Sequence, residues 1–171
     1  MATDKIELEI VTPRGLALRA SVDEVTAPSV KGEFGVMPGH VPVLAAMRTG
    51  VVTYRQAGEQ KKFAIGEGLA EGGPHKLLIL AEDFIERDDV DPVAVRAELA
   101  EVQTRLEKLT HMLEGADEQE TKKLITRESW LAAQLELIGD PPPPTMNPVQ
   151  DFSEEDEPVE GTAPAEGGEA G

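Results

Sequence analysis

The run Gly32-Glu33-Phe34-Gly35-Val36-Met37-Pro38-Gly39-His40-Val41-Pro42-Val43-Leu44 admits few conformations. Pro38 and Pro42 each fix φ and remove an amide donor. The segment can therefore be neither a helix nor the middle of a regular sheet. Gly35 and Gly39 are candidates for positive φ or close backbone approach. The reading is a short strand, a tight turn and a second apolar strand. Glu33, Met37 and His40 are left to face outward from a rigid corner, which is a good place for a partner contact.

On the N-terminal side, Lys5-Ile6-Glu7-Leu8-Glu9-Ile10-Val11 alternates. Ile6, Leu8 and Ile10 share one face, and Lys5, Glu7 and Glu9 the other, as in a half-buried strand. Thr12-Pro13-Arg14-Gly15 is a turn. Leu16–Arg19 and Ser21–Ala27 read as two further strands. On the C-terminal side, Val51–Arg55 and Lys61–Ile65 flank the turn Gln56-Ala57-Gly58-Glu59 as a hairpin. Gly66-Glu67-Gly68 lacks the following helix and the third glycine of a phosphate loop, so a bulge or bend is expected. Lys76-Leu77-Leu78-Ile79-Leu80-Ala81 is nearly all apolar, which predicts a strand covered on both faces. Seven to ten short strands at this spacing predict an antiparallel β-sandwich or flattened barrel over residues 1–88.

The pattern changes at Asp88. Asp91 can cap a helix whose first residue is Pro92. Val95, Leu99, Val102, Leu106, Leu109 and Leu113 then recur at heptad spacing. Gly115 suits a helix end, and Asp117 with Glu120 forms a capping box for a second helix. Its apolar stripe is Leu124, Leu131, Leu135 and Ile138, with Trp130 nearby. The two form an antiparallel helical hairpin within residues 89–139. The fold class is thus α+β. Residues 140–171 hold nine acidic residues and no Lys or Arg, are rich in Pro and Gly, and are expected to be a disordered acidic tail.

Composition narrows function. The chain has 171 residues, no cysteine and a formal net charge of −17. Without basic clusters, a nucleic-acid partner is not expected. No apolar segment approaches a membrane span and no secretory signal is expected, so membrane association is expected to be indirect. His40, His75 and His111 show no ligand spacing, and no serine sits in a nucleophile motif. No catalytic residue, metal or cofactor is expected.

The run "GEFGVMPGHVPVL", with "LEIVTPRGLAL" before it and "GVVTYR" and "FAIGEGLAE" after it, resembles the ε subunit family of F-type ATP synthases over about residues 5–90. The resemblance implies a non-catalytic central-stalk subunit of a bacterial F1Fo enzyme, peripheral on the cytoplasmic face of the inner membrane. It implies that the sandwich binds the γ subunit and sits on the c-ring. Glu33 and His40 would face the ring, with Met37 in the same contact surface. It further implies that the hairpin extends toward the α and β subunits and restrains ATP hydrolysis through a basic face of Lys122, Lys123 and Arg127. Some family members bind ATP through (Ile/Leu)-Asp-x-x-Arg-Ala. Here Asp91 and Arg96-Ala97 stand two residues too far apart, which turns Arg96 by about 200° around the helix. No nucleotide site is expected.

Two other readings fit the residues. One is a free-standing sandwich adaptor that dimerises through a coiled coil at 95–113. The other is an enzyme using an acidic pair in the sandwich, though no carboxylate pair has a supporting neighbour.

Overall fold

The computed structural model describes residues 4–111 and 117–143. Leu113, Gly115 and residues 144–171 lie outside these residues; the first four positions of the expected disordered tail, 140–143, are described, and Asp140 is held there by Arg96. Ten strands come first: β1 (Ile6–Thr12), β2 (Gly15–Val22), β3 (Glu24–Ser29), β4 (Gly32–Val36), β5 (Val43–Met47), β6 (Gly50–Gln56), β7 (Glu59–Ile65), β8 (Gly68–Gly72), β9 (Lys76–Ala81) and β10 (Phe84–Glu86). A short 3-10 turn (Arg87–Asp89) leads to helices α1 (Pro92–His111) and α2 (Glu118–Ile138).

The strands form one sheet in the order β10-β7-β6-β3-β5-β8-β9-β1-β2, with β4 added on β3. It folds over on itself into a flattened barrel. Every pairing is antiparallel except β1 with β9, which is parallel. One core joins Ile6, Leu8 and Ile10 of β1 to Val25, Val52, Phe63, Leu77 and Ile79. The alternation in β1 thus sends its three aliphatics inward as expected. Glu9 departs from that expectation: it is only 6% exposed. Arg19 on β2 and Lys76 on β9 flank it across the sheet and fold over its carboxylate.

The turn at Ala57-Gly58 has both residues at positive φ, 53° and 83°, as a two-residue hairpin with right-handed strand twist requires. At Gly66-Glu67-Gly68 the chain bends, as expected. Gly66 N donates to the Asp83 carbonyl, and Gly68 enters β8.

Asp91 caps α1, its Oδ1 accepting from Val93 N at 3.0 Å and Ala94 N at 3.1 Å. Asp117 caps α2 by accepting from Gln119 N. The Glu120 carboxylate also accepts from Arg105 of α1 at 2.7 Å. α2 ends at Gly139 in the left-handed conformation (φ 86°), with Gly139 N donating to the Glu136 carbonyl and Asp140 N to the Leu135 carbonyl.

Val95, Leu99, Val102 and Leu106 of α1 close on Leu131 and Leu135 of α2. From Val95 to Leu106 the heptad seam is therefore occupied within the chain rather than free for coiled-coil dimerisation. α2 carries a second apolar stripe that the heptad pattern does not disclose. Trp130, Ala133 and Leu137 pack on Ala64, Val51 and Ile85 of the barrel.

Candidate functional site

The glycine–proline corner hangs between β4 and β5. Its entry is set by the β3–β4 hairpin, where Ser29 Oγ donates to the Gly32 carbonyl at 2.7 Å and Gly32 takes φ 114°. Its centre is fixed by Gly39 at φ 83°, whose amide donates to the Pro74 carbonyl at 2.8 Å. The corner is thereby tied to the β8–β9 turn. Gly35 is an ordinary strand residue with neither positive φ nor a close neighbour, so the positive-φ role expected of it falls to Gly32.

Glu33 is exposed and Met37 is 57% exposed. His40 is half-buried and its Nδ1 lies 2.6 Å from the Val41 carbonyl. A carbonyl only accepts, so Nδ1 is the donor in this contact and Nε2 is turned away from it. His40 both braces the turn and keeps one polar edge free. Val41 beside it is 71% exposed.

The sheet face continuous with this corner is open. Across β5, β8, β9, β1 and β2, the register aligns Ala46, Leu69, Leu80, Val11 and Leu16 in one row. The neighbouring row is Leu44, Glu71, Leu78, Glu9 and Arg19. Leu16, Leu44, Leu69 and Leu80 are all substantially exposed. The run Lys76–Ala81 was expected to be covered on both faces. In fact Leu77, Ile79 and Ala81 are inside, while Leu80 is bare. The helical hairpin sits elsewhere, with α2 against β6 and β7. An apolar row of this extent, with charges in the row beside it, marks an interaction surface.

Within the second row Glu9 is the electrostatic centre. Lys76 Nζ lies 2.5 Å from Oε2, and Arg19 hydrogen-bonds Oε1. These hydrogen bonds, Lys76 first and Arg19 second, hold the Glu9 carboxyl down at about 2, against an ordinary 4.5. The Arg19 guanidinium is raised in turn. The cluster keeps a carboxylate charged inside an otherwise apolar band.

The basic trio on α2 does not act as one face. Lys122 and Lys123 are exposed, but Arg127 turns to α1 and binds Glu98 through two nitrogens. Arg96 is likewise engaged, by Asp140 just beyond α2. His40, His75 and His111 lie apart, and among the described residues no three His, Asp or Glu side chains converge as a metal site. No described helix is long and apolar enough to cross a membrane.

A nearly closed β body with an open apolar face and a laterally packed pair of helices defines a two-part binding module. A family model described as the β-sandwich domain of the ATP synthase delta/epsilon chain matches residues 5–87. The ATP synthase epsilon chain of Trichlorobacter lovleyi is 38% identical over 107 residues, covering 63% of this chain and 78% of that one. The epsilon chain of Desulfatibacillum aliphaticivorans is 40% identical over 103 residues, covering 60% and 73%. The fold also recurs in a chain of the Euglena gracilis mitochondrial ATP synthase structure (OSCP/F1/c-ring), with TM-score 0.64, 18% identity and 77% and 79% of the two chains covered. A chain of the Tetrahymena thermophila mitochondrial central stalk/c-ring structure gives TM-score 0.52 at 17% identity, covering 79% and 97%. The chain belongs to the ATP synthase epsilon chain family.

Proposed function

We propose that this chain is a non-catalytic rotor subunit of the central stalk of a bacterial F1Fo ATP synthase. It couples ion flow through the c-ring to ATP synthesis in the F1 head. The observation that carries the reading is the open apolar band on β5, β8, β9, β1 and β2. A barrel this small gains by having that band covered by a long-lived neighbour. The γ subunit is the neighbour that the family relationship supplies.

In this reading the chain divides into a sandwich (1–88), a hairpin (89–139) and an acidic tail (140–171). The corner bearing Glu33, Met37 and His40 meets the c-ring, a role supported by its exposure and by its bracing against Pro74. Membrane association is indirect, on the cytoplasmic face of the inner membrane. The hairpin, when extended, reaches the α and β subunits and restrains hydrolysis, with Lys122 and Lys123 as the exposed cations. Such a two-state element needs docked and extended forms within a few kcal/mol of each other. The seam suits that: Val95, Leu99, Val102 and Leu106 keep 5–7% exposure, whereas Ile6, Leu8 and Ile10 in the barrel keep 0%.

The test is recovery of the tagged full chain from native membranes. Co-purification of the γ polypeptide with α and β is expected; a chain recovered without them contradicts the assignment.

A further inference from the structure

We propose that the chain reversal at Gly139–Pro143 is an intramolecular strap that clamps α2 onto α1. One turn of helix holds 3.6 residues, so the α1 residues beside the seam fall on two flanks. Glu98 and Arg105 lie on one flank, Arg96 and Gln103 on the other. The first flank is bridged to α2 by Glu98–Arg127 and Arg105–Glu120. The second flank is bridged by Gln103, whose Nε2 donates to the buried Glu128 at 3.1 Å, and by the strap.

The strap is built from local rules. Gly139 in the left-handed region stops α2 and turns the chain back. Asp140 then accepts from Arg96 Nε at 2.9 Å and Nη2 at 2.5 Å, on one oxygen. Pro141, Pro142 and Pro143 form one wall of a shallow cavity whose other walls include Leu99 and Gln103 of α1 and Glu136 of α2, so the chain runs back beside the helix pair. Prolines suit this task because their φ is already restricted, so less entropy is lost on laying them down. α2 cannot separate from α1 at this end without parting Asp140 from Arg96 and withdrawing the prolines from beside Leu99. The strap therefore sets how readily the hairpin opens. It is a property of the isolated chain and does not rest on the proposed assembly.

The test is amide hydrogen exchange of the purified full chain, comparing wild type, Asp140→Asn, and Asp140→Asn combined with Pro141→Ser, Pro142→Ser and Pro143→Ser. Exchange reports local opening. Asp140→Asn removes one exposed ion pair, so amides of 95–106 and 128–137 should exchange about two- to fivefold faster. The combined variant should exceed that, with β1 and β9 amides unchanged in both. In salt of about 1 M, wild type and Asp140→Asn should converge because the ion pair is screened, while the combined variant stays faster. Helix exchange unchanged in the combined variant, or acceleration shared equally by β1 and β9, overturns the strap.

Discussion

Arg127 on α2 gives two of its nitrogens to Glu98 on α1, with Nε 2.6 Å from Oε1 and Nη2 2.8 Å from Oε2. The fork geometry lowers the Glu98 carboxyl pKa and raises that of Arg127. Arg127 thus belongs to the hairpin's own seam while the helices are paired, unlike Lys122 and Lys123. Arg127→Ala is expected to loosen the hairpin by up to about 1 kcal/mol, the range for a partly exposed pair. Lys122→Ala with Lys123→Ala should leave the isolated chain's stability unchanged and raise ATP hydrolysis in the assembled enzyme. Thermal unfolding of the chain and hydrolysis by the reconstituted enzyme separate the two effects. Equal destabilisation by all three substitutions contradicts the division.

Glu9 predicts an acid limb. Its folded-state pKa is lowered from 4.5 to about 2, so its contribution to stability is complete above about pH 4.5 and is lost as pH falls toward 2. Glu9→Gln keeps the shape and removes the charge. The variant should be less stable than wild type at pH 7, and the gap should close as pH falls through this window. Urea unfolding at pH 7, 4 and 3 measures it; a constant gap argues that the loss comes from packing alone.

Gly68 has no room for a methyl group. A Cβ there would sit 1.9 Å from the Leu80 carbonyl oxygen and 2.9 Å from Ala81 Cα, both backbone atoms of the paired strand. Gly68→Ala must therefore shift β8 from β9, at a cost of roughly 1–3 kcal/mol or more. Gly73→Ala, with open space around its Cβ position, is the matched control. Calorimetric melting of both variants is the check, and equal midpoints would refute the close approach.

The apolar row predicts loss of assembly without loss of fold. Leu80→Lys together with Leu69→Lys replaces side chains that are 46% and 43% exposed. Stability of the free chain should change by no more than about 0.5 kcal/mol per site. Co-purification of γ should fall at least tenfold, since a charge would be buried unpaired at the interface. Undiminished recovery moves the γ contact to another face.

Much of the fold follows from periodicity that needs no partner strand to interpret. Ile6, Leu8 and Ile10 go inward because β side chains alternate, and Val95 through Leu106 close a seam because heptads do. The corner was legible because two prolines exclude regular pairing. Glu9 was not legible as a buried residue: alternation assigns it outward, and its cover comes from Arg19 on β2 and Lys76 on β9. The open state of Leu80 was hidden for a similar reason. A continuous apolar run says that both faces disfavour water, but not whether the same chain covers them. Trp130, Ala133 and Leu137 were obscured because the seam stripe of α2 dominates its pattern.

Local chain chemistry by itself determined most of the strands (though neither β10 nor the break at Asp23 between β2 and β3), the two helices with their Asp91 and Asp117 caps, and the stiff turn through Pro38, Gly39 and Pro42. Alternation, capping and proline geometry act over a few residues and are written in neighbouring letters. Only the tertiary structure decided which cations are spent, with Arg96 on Asp140, Arg127 on Glu98, and Arg19 and Lys76 on Glu9. It also decided which apolar face remains bare. Those outcomes depend on residues 10 to 67 positions apart being brought within hydrogen-bond reach by folding, and no local pattern carries that information.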